Sequence, residues 1–132
     1  MNHHGEFEIK IVGRVVELKV IGAWNEDTAK EYVDVLKTLT AKLNTSPWGV
    51  LIDATKWELG TPETETIIAD FMIWCMENNQ RYESTIIGES ELKKYQSNRY
   101  YQHLDTDVID QRFFISIKEA IEWFSNIGLY KV

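Results

Sequence analysis

The chain has 132 residues, 44% of them hydrophobic, and that length suits one compact domain over residues 1–132 that buries roughly 68% of its unfolded surface. A formal net charge of −7 argues against nucleic acid as a general partner, because phosphate repels an acidic surface. A single cysteine, Cys75, excludes an intramolecular disulfide and fits a reducing cytosol, and no apolar run approaches the ~20 residues of a spanning helix. The start, Met1-Asn2-His3-His4-Gly5, lacks the apolar core of a signal peptide. Residues 1–5 are expected to be flexible, His3 and His4 fit either a native start or an appended tag, and the expected location is cytoplasmic.

Phe7–Val12 alternates with the period of a half-buried strand. Gly13-Arg14 breaks it, so Val15–Ile21 is expected to return as the second arm of a hairpin. Gly22-Ala23-Trp24 leaves that strand. Asn25 is a good helix cap, and Glu26 and Asp27 suit the positive end of a helix whose apolar residues run from Ala29 to Leu43. The stretch Trp48–Trp57 then carries the continuous run Val50-Leu51-Ile52, which suits a strand buried on both faces. Asp53 is expected to end that run where the strand leaves the sheet, with a polar loop behind it.

Thr61 caps the next helix and Pro62 takes its first position, where a missing N–H costs nothing. Ile67, Ile68, Phe71, Trp74 and Cys75 form its apolar stripe, and Asn78-Asn79-Gln80 marks its stop. Tyr82–Gly88 reads as a fourth strand. Ser90 caps a third helix from Glu91 to about Leu104, and Arg112–Ile115 is a short fifth strand. Ser116 and Glu119 form a capping box, after which Ile117, Ala120, Ile121 and Phe124 are expected to face the core. The order is ββαβαβαβα: an α/β domain with a mixed, mostly parallel five-stranded sheet and about four helices.

This order resembles the STAS domain, the fold of the SpoIIAA-like anti-sigma-factor antagonists. The hairpin at Gly13, the strand Val50-Leu51-Ile52-Asp53 and the closing segment Phe113–Trp123 are similar to STAS-like, SpoIIAA-like bacterial proteins, and the resemblance spans about Phe7 to Phe124. It implies a regulatory or protein-interaction module. Regulatory members carry an Asp-Ser-Ser/Thr-Gly signature with a phosphoacceptor serine at the second helix. Here Thr61 falls at the position of the signature Asp and Pro62 at that of the acceptor, and proline takes no phosphate. Thr61 is the nearest hydroxyl, and capping is the better account of it.

No motif identifies a reaction. Cys75 lies on an apolar helix face and has no orienting partner with His103, no metal-ligand spacing or glycine-rich phosphate loop is present, and no cofactor is expected. Asp53 at a strand end is either a functional carboxylate or a turn residue. The anion site that the Thr61 helix start offers is opposed by Glu58, Glu63 and Glu65. Lys93, Lys94, Tyr95, Arg99 and Tyr100 lie in the chain's one basic, aromatic cluster, and Leu92, Tyr95 and Arg99 share a helical face. That face suits an anionic membrane surface or headgroup, against an ordinary solvated helix with tyrosines over the core.

Two functions follow. The first is a non-catalytic interaction module, with a protein partner or a second copy of the chain in a homodimer. The alternative is a binder or carrier of a small hydrophobic or anionic, lipid-like ligand, motivated by Trp57 with Trp24, Trp74 and Trp123 beside the basic helix. The SpoIIAA-like architecture is also shared with lipid-transfer domains.

Overall fold

The computed structural model describes residues 5–58 and 60–131. In chain order it contains β1 (Glu6–Val12), β2 (Val15–Ala23), α1 (Glu26–Thr40), β3 (Trp48–Glu58), α2 (Pro62–Glu77), β4 (Gln80–Ile86), α3 (Glu91–Tyr101), β5 (Asp110–Phe114) and α4 (Ile117–Asn126). The order ββαβαβαβα is therefore as the sequence predicts. Of the stretch 1–5, only Gly5 lies within the described residues.

The sheet runs β1-β2-β3-β4-β5. β1 and β2 are antiparallel, and every other pair is parallel. Gly13, at φ +62°, and Arg14 make the two-residue turn between Val12 and Val15. Arg14 then reaches across to the α1–β3 connection. Its Nε donates to Pro47 O at 2.9 Å and its Nη2 to Ser46 O at 2.9 Å and to Leu43 O. One side chain thus fixes the chain just ahead of the central strand.

Alternation along the strands divides the core into two layers. Val16, Leu18 and Val20 of β2 and Val50 and Ala54 of β3 pack with Ala29, Tyr32 and Leu36 of α1, Phe71, Met72 and Cys75 of α2 and Tyr100 of α3. The other face buries Val15, Leu51 and Ile86 under Ala120 and Phe124 of α4. Helices α1–α3 therefore cover one face, as right-handed crossovers between neighbouring parallel strands require. Gly49 admits Phe124: a Cβ there would lie 2.5 Å from Phe124 Cε1.

Asp53 does not end β3. The strand continues to Glu58, because β2 keeps pairing with it as far as Ala23↔Glu58, while β4 stops at Asp53↔Ile86. Ala23 accordingly closes β2 rather than leaving it. Helix α3 stops at Tyr101, short of Leu104, with Gln102 as its C-cap. Gln80 opens β4 instead of closing α2; the turn is made by Asn78 at the C-cap and by Asn79, whose φ of +73° is left-handed. Ile117 is 42% exposed and does not face the core, because it is the first residue of α4 and extends past the packed face. The four predicted caps hold: Asn25, Thr61, Ser90 and Ser116 each accept from a backbone N–H of the first turn, and Ser116 with Glu119 closes a capping box.

Candidate functional site

β4 pairs on both sides, with β3 and β5, and its inward side chains lie beneath the α1–α3 layer. Yet it carries Gln80, Glu83 and Thr85, all buried, on the face covered by α1–α3. Gln80 and Glu83 are three residues apart and share that face because the β3–β4 register shifts between Trp48 and Gly49. The Gln80 amide donates from Nε2 to Glu83 Oε1 at 2.9 Å and to Tyr82 O at 3.1 Å. Beside them, Thr85 Oγ1 and the Tyr101 hydroxyl are hydrogen-bonded, and Gln111 Nε2 of β5 donates to Thr85 Oγ1 at 3.4 Å.

Gln80, Glu83, Thr85 and Tyr101 form the polar end of an otherwise apolar cavity of about 90 Å³ between the sheet and the helix layer. Trp24, Tyr32, Trp57, Phe71 and Tyr100 bring aromatic rings to its wall. The rings brace one another: Trp24 meets Trp57 at 5.0 Å and Tyr32 at 4.8 Å between centroids, and Trp57 meets Tyr100 at 5.9 Å, all edge to face. Helix α3 covers one side with Ser97, Tyr100 and Tyr101.

Among the described residues, Glu83 is the one carboxyl that lines the cavity, and no Lys or Arg lines it with Glu83. Burial pushes its carboxyl above the ordinary glutamate range, and the bonds from Gln80 and Tyr101 oppose that rise in part. Burial also drives the Tyr32 and Tyr101 hydroxyls and the Cys75 thiol well up, with the Glu83 charge adding to each. Lys37 of α1, whose Nζ stands 5.3 Å from the Trp74 ring centroid, acts in the opposite direction on Cys75.

The residues expected at a binding site divide between this cavity and the surface. Trp57 and Tyr100 line it. Thr61 does not line it: it is exposed as the α2 cap, accepting from Thr64 N at 3.2 Å, and Thr64 Oγ1 in turn donates to Trp24 O. Arg99 is drawn away to Glu65 of α2, 3.1 Å from its Nη2. Lys94 is exposed, its Nζ 5.6 Å from the Phe113 ring centroid. Lys93 is half-buried near the start of α3, and Tyr95 is 70% exposed. Asp53 alternates with Ile52 and Ala54, which places it toward the α4 face, and it accepts from Thr55 N at 3.0 Å and Thr55 Oγ1 at 2.7 Å. The four tryptophans separate too: Trp24 and Trp57 line the cavity, Trp74 lies partly buried on α2, and Trp123 packs on the far side of the sheet against Tyr82.

Glu83 and Gln80 went unmarked in the sequence. The signal was there in Tyr82-Glu83-Ser84-Thr85-Ile86-Ile87, where a glutamate stands in an internal strand, a position that demands a partner when buried.

No family model matches the sequence, and no curated protein matches it. Among solved structures, the chain is similar to an uncharacterised protein of the DUF3478 family with a SpoIIAA-like fold from Shewanella loihica PV-4. The TM-score is 0.72 at 15% identity, over 93% of this chain and 95% of that one. The fold is SpoIIAA-like. Within this SpoIIAA-like frame, the start of α2 carries Thr61-Pro62 with Glu63 and Glu65 in its first turn. The polar end of the cavity lies on β4 instead. Among the described residues there is no group of three metal-ligating side chains, and no helix is long and apolar enough to cross a membrane.

Proposed function

We propose that this SpoIIAA-like chain is a binding module rather than a catalyst, and that it takes a small, largely apolar molecule into the cavity between the sheet and α1–α3. One observation carries the reading: an apolar cavity of about 90 Å³ closes on a single buried carboxyl held by Gln80. Ligand sites commonly combine an apolar lining with a few placed polar groups. An engineered cavity of about 150 Å³ accepts benzene, so a ligand here is smaller, on the order of four heavy atoms by the same scaling. A lipid-like anion fits poorly, because Lys93, Lys94 and Arg99 do not line the cavity and Glu83 would repel it. Catalysis has little support. Cys75 is buried with its thiol held protonated, and His103 is exposed on the groove between α2 and α3.

Native mass spectrometry of protein purified from cells, followed by thermal unfolding with a panel of small apolar amines, alcohols and acids, tests the proposal. A bound small molecule, or a rise of several degrees with one class, supports it. A clean apo mass with no shift from any class overturns it.

A second reading, a protein-interaction module, draws on Leu92 and Tyr95, which stand 64% and 70% exposed on the outer face of α3 beside Lys94. Exposed aromatic and aliphatic side chains next to a cation suit a partner surface or a second copy of the chain. Sedimentation and pull-down with wild type and a Leu92→Ser/Tyr95→Ser variant test it; identical behaviour of the two overturns it.

A further inference from the structure

We infer that the cavity selects a small organic ammonium ion, with Glu83 as its counter-ion and the rings of Trp24, Tyr32, Trp57, Phe71 and Tyr100 as its wall. The inference rests on the proposed binding role of that cavity and adds the charge of its ligand.

Four observations support it. Glu83 is 7% exposed and has no Lys or Arg beside it in the cavity. A carboxylate accepts about four hydrogen bonds, while Gln80 and Tyr101 are the side chains that bond this one. The wall is aromatic, and ring faces attract a cation most strongly where water is excluded. The chain as a whole carries a net charge of −7, which favours cations at its surface over anions.

The alternatives fit less well. A neutral apolar molecule would leave the Glu83 charge with its Gln80 and Tyr101 bonds and no counter-charge. An anion would meet the carboxyl directly. An ammonium group supplies the missing donors and the missing charge together, and its alkyl substituents meet the rings.

The pairing makes binding proton-linked. Titratable or charged groups reach Glu83 from each packed element: Tyr32 and, through Cys75, Lys37 from α1, Cys75 from α2, and Tyr101 from α3, with the Gln80 amide on its own strand. The tyrosines and the cysteine are pushed further up from values already above neutrality, so Glu83 is the cavity group whose proton a cation displaces. A cation binds the ionised carboxyl. Each bound ion therefore displaces one proton while the pH lies below the raised Glu83 pKa.

The experiment compares isopropylammonium chloride with isopropanol, a neutral molecule of the same heavy-atom count, against sodium chloride at equal ionic strength. Thermal unfolding and 1H–15N NMR are recorded on the full chain from pH 5 to 8, for wild type and Glu83→Gln. Expected are shifts at cavity-lining amides with the ammonium ion, an affinity rising about tenfold per pH unit until the Glu83 pKa is passed, and at least a tenfold loss in Glu83→Gln. If Glu83→Gln does not fold, the pH slope of the wild type decides. Equal binding of isopropanol and isopropylammonium, or ammonium binding without a pH slope, overturns this inference and leaves the apolar binding role standing. Binding of neither probe, beside a clean apo mass and an inactive panel, overturns both.

Discussion

Gln80 Nε2 lies 2.9 Å from Glu83 Oε1, and this amide-to-carboxyl contact is made inside the core, on an internal strand. Each partner needs the other. Without Gln80, Glu83 loses a donor in an apolar wall; without Glu83, the Gln80 amide keeps only Tyr82 O.

Glu83→Gln separates the charge from the shape. Burial raises the Glu83 carboxyl in the folded chain, so its contribution favours folding fully below the ordinary glutamate range near 4.3 and is lost as pH rises through the raised value. With no ligand present, the variant is expected to gain on wild type between pH 5 and 8, by an amount on the order of 1–3 kcal/mol. Urea unfolding at both pH values checks it, and a difference that stays flat with pH would contradict the assignment.

Gly49→Ala tests how closely α4 seats on the sheet. Its new methyl would lie 2.5 Å from Phe124 Cε1 and 3.0 Å from Cζ, and Phe124 is fully buried. Overpacking of this kind costs about 1–3 kcal/mol. Phe124→Leu alone is also destabilising, but the double variant is expected to lose less than the sum of the two, because the smaller side chain makes room. Four denaturation curves complete the cycle; strict additivity would refute the contact.

Arg14 holds the connection ahead of β3 through the carbonyls of Leu43, Ser46 and Pro47. Arg14→Ala is expected to cost about 1.5–3 kcal/mol, the range for hydrogen bonds to a charged group. Arg14→Lys should recover less than half of it, because an ammonium cannot reproduce the planar fork of donors. Thermal melts of the three proteins distinguish this from a simple charge effect, in which lysine would restore stability in full.

The elements that could be read from sequence are those set by local chemistry. The hairpin turn needs a residue at positive φ, and Gly13 supplies it. Asn25, Thr61, Ser90 and Ser116 announce their helices because a side-chain acceptor must meet free N–H groups. The run Val50-Leu51-Ile52 reads as internal because a strand in that position has no wet face. What depended on distant chain was hidden. Asp53 looked like a strand end, and only β2 on the other side of β3 carries the strand further.

The cavity was harder still. A glutamate in a strand normally signals a solvated face, yet Glu83 stands opposite Val50 on the face that α1–α3 cover, and a register shift ahead of it brings Gln80 to the same face. Helix α3 gave a similar difficulty. It is polar nearly all round, so composition did not show that Tyr100 is buried while Tyr95 stands in water. Trp57 and Tyr100 were marked as site residues and do line the cavity; Lys93, Lys94, Tyr95 and Arg99 were grouped with Tyr100 because they share its helix, not its buried face.

The sheet is laid down in the same order as the chain, β1 to β5. As the polypeptide leaves the ribosome, each new parallel strand finds the edge of its neighbour already made, and no strand has to be threaded between two others. The far face is different. Val15, Leu51 and Ile86 wait for Ala120 and Phe124, which arrive with the last helix. Until α4 is synthesised, the nascent sheet carries a greasy underside. A chain stalled before Ile117 would therefore be a client for chaperones, although every strand it needs has already been translated.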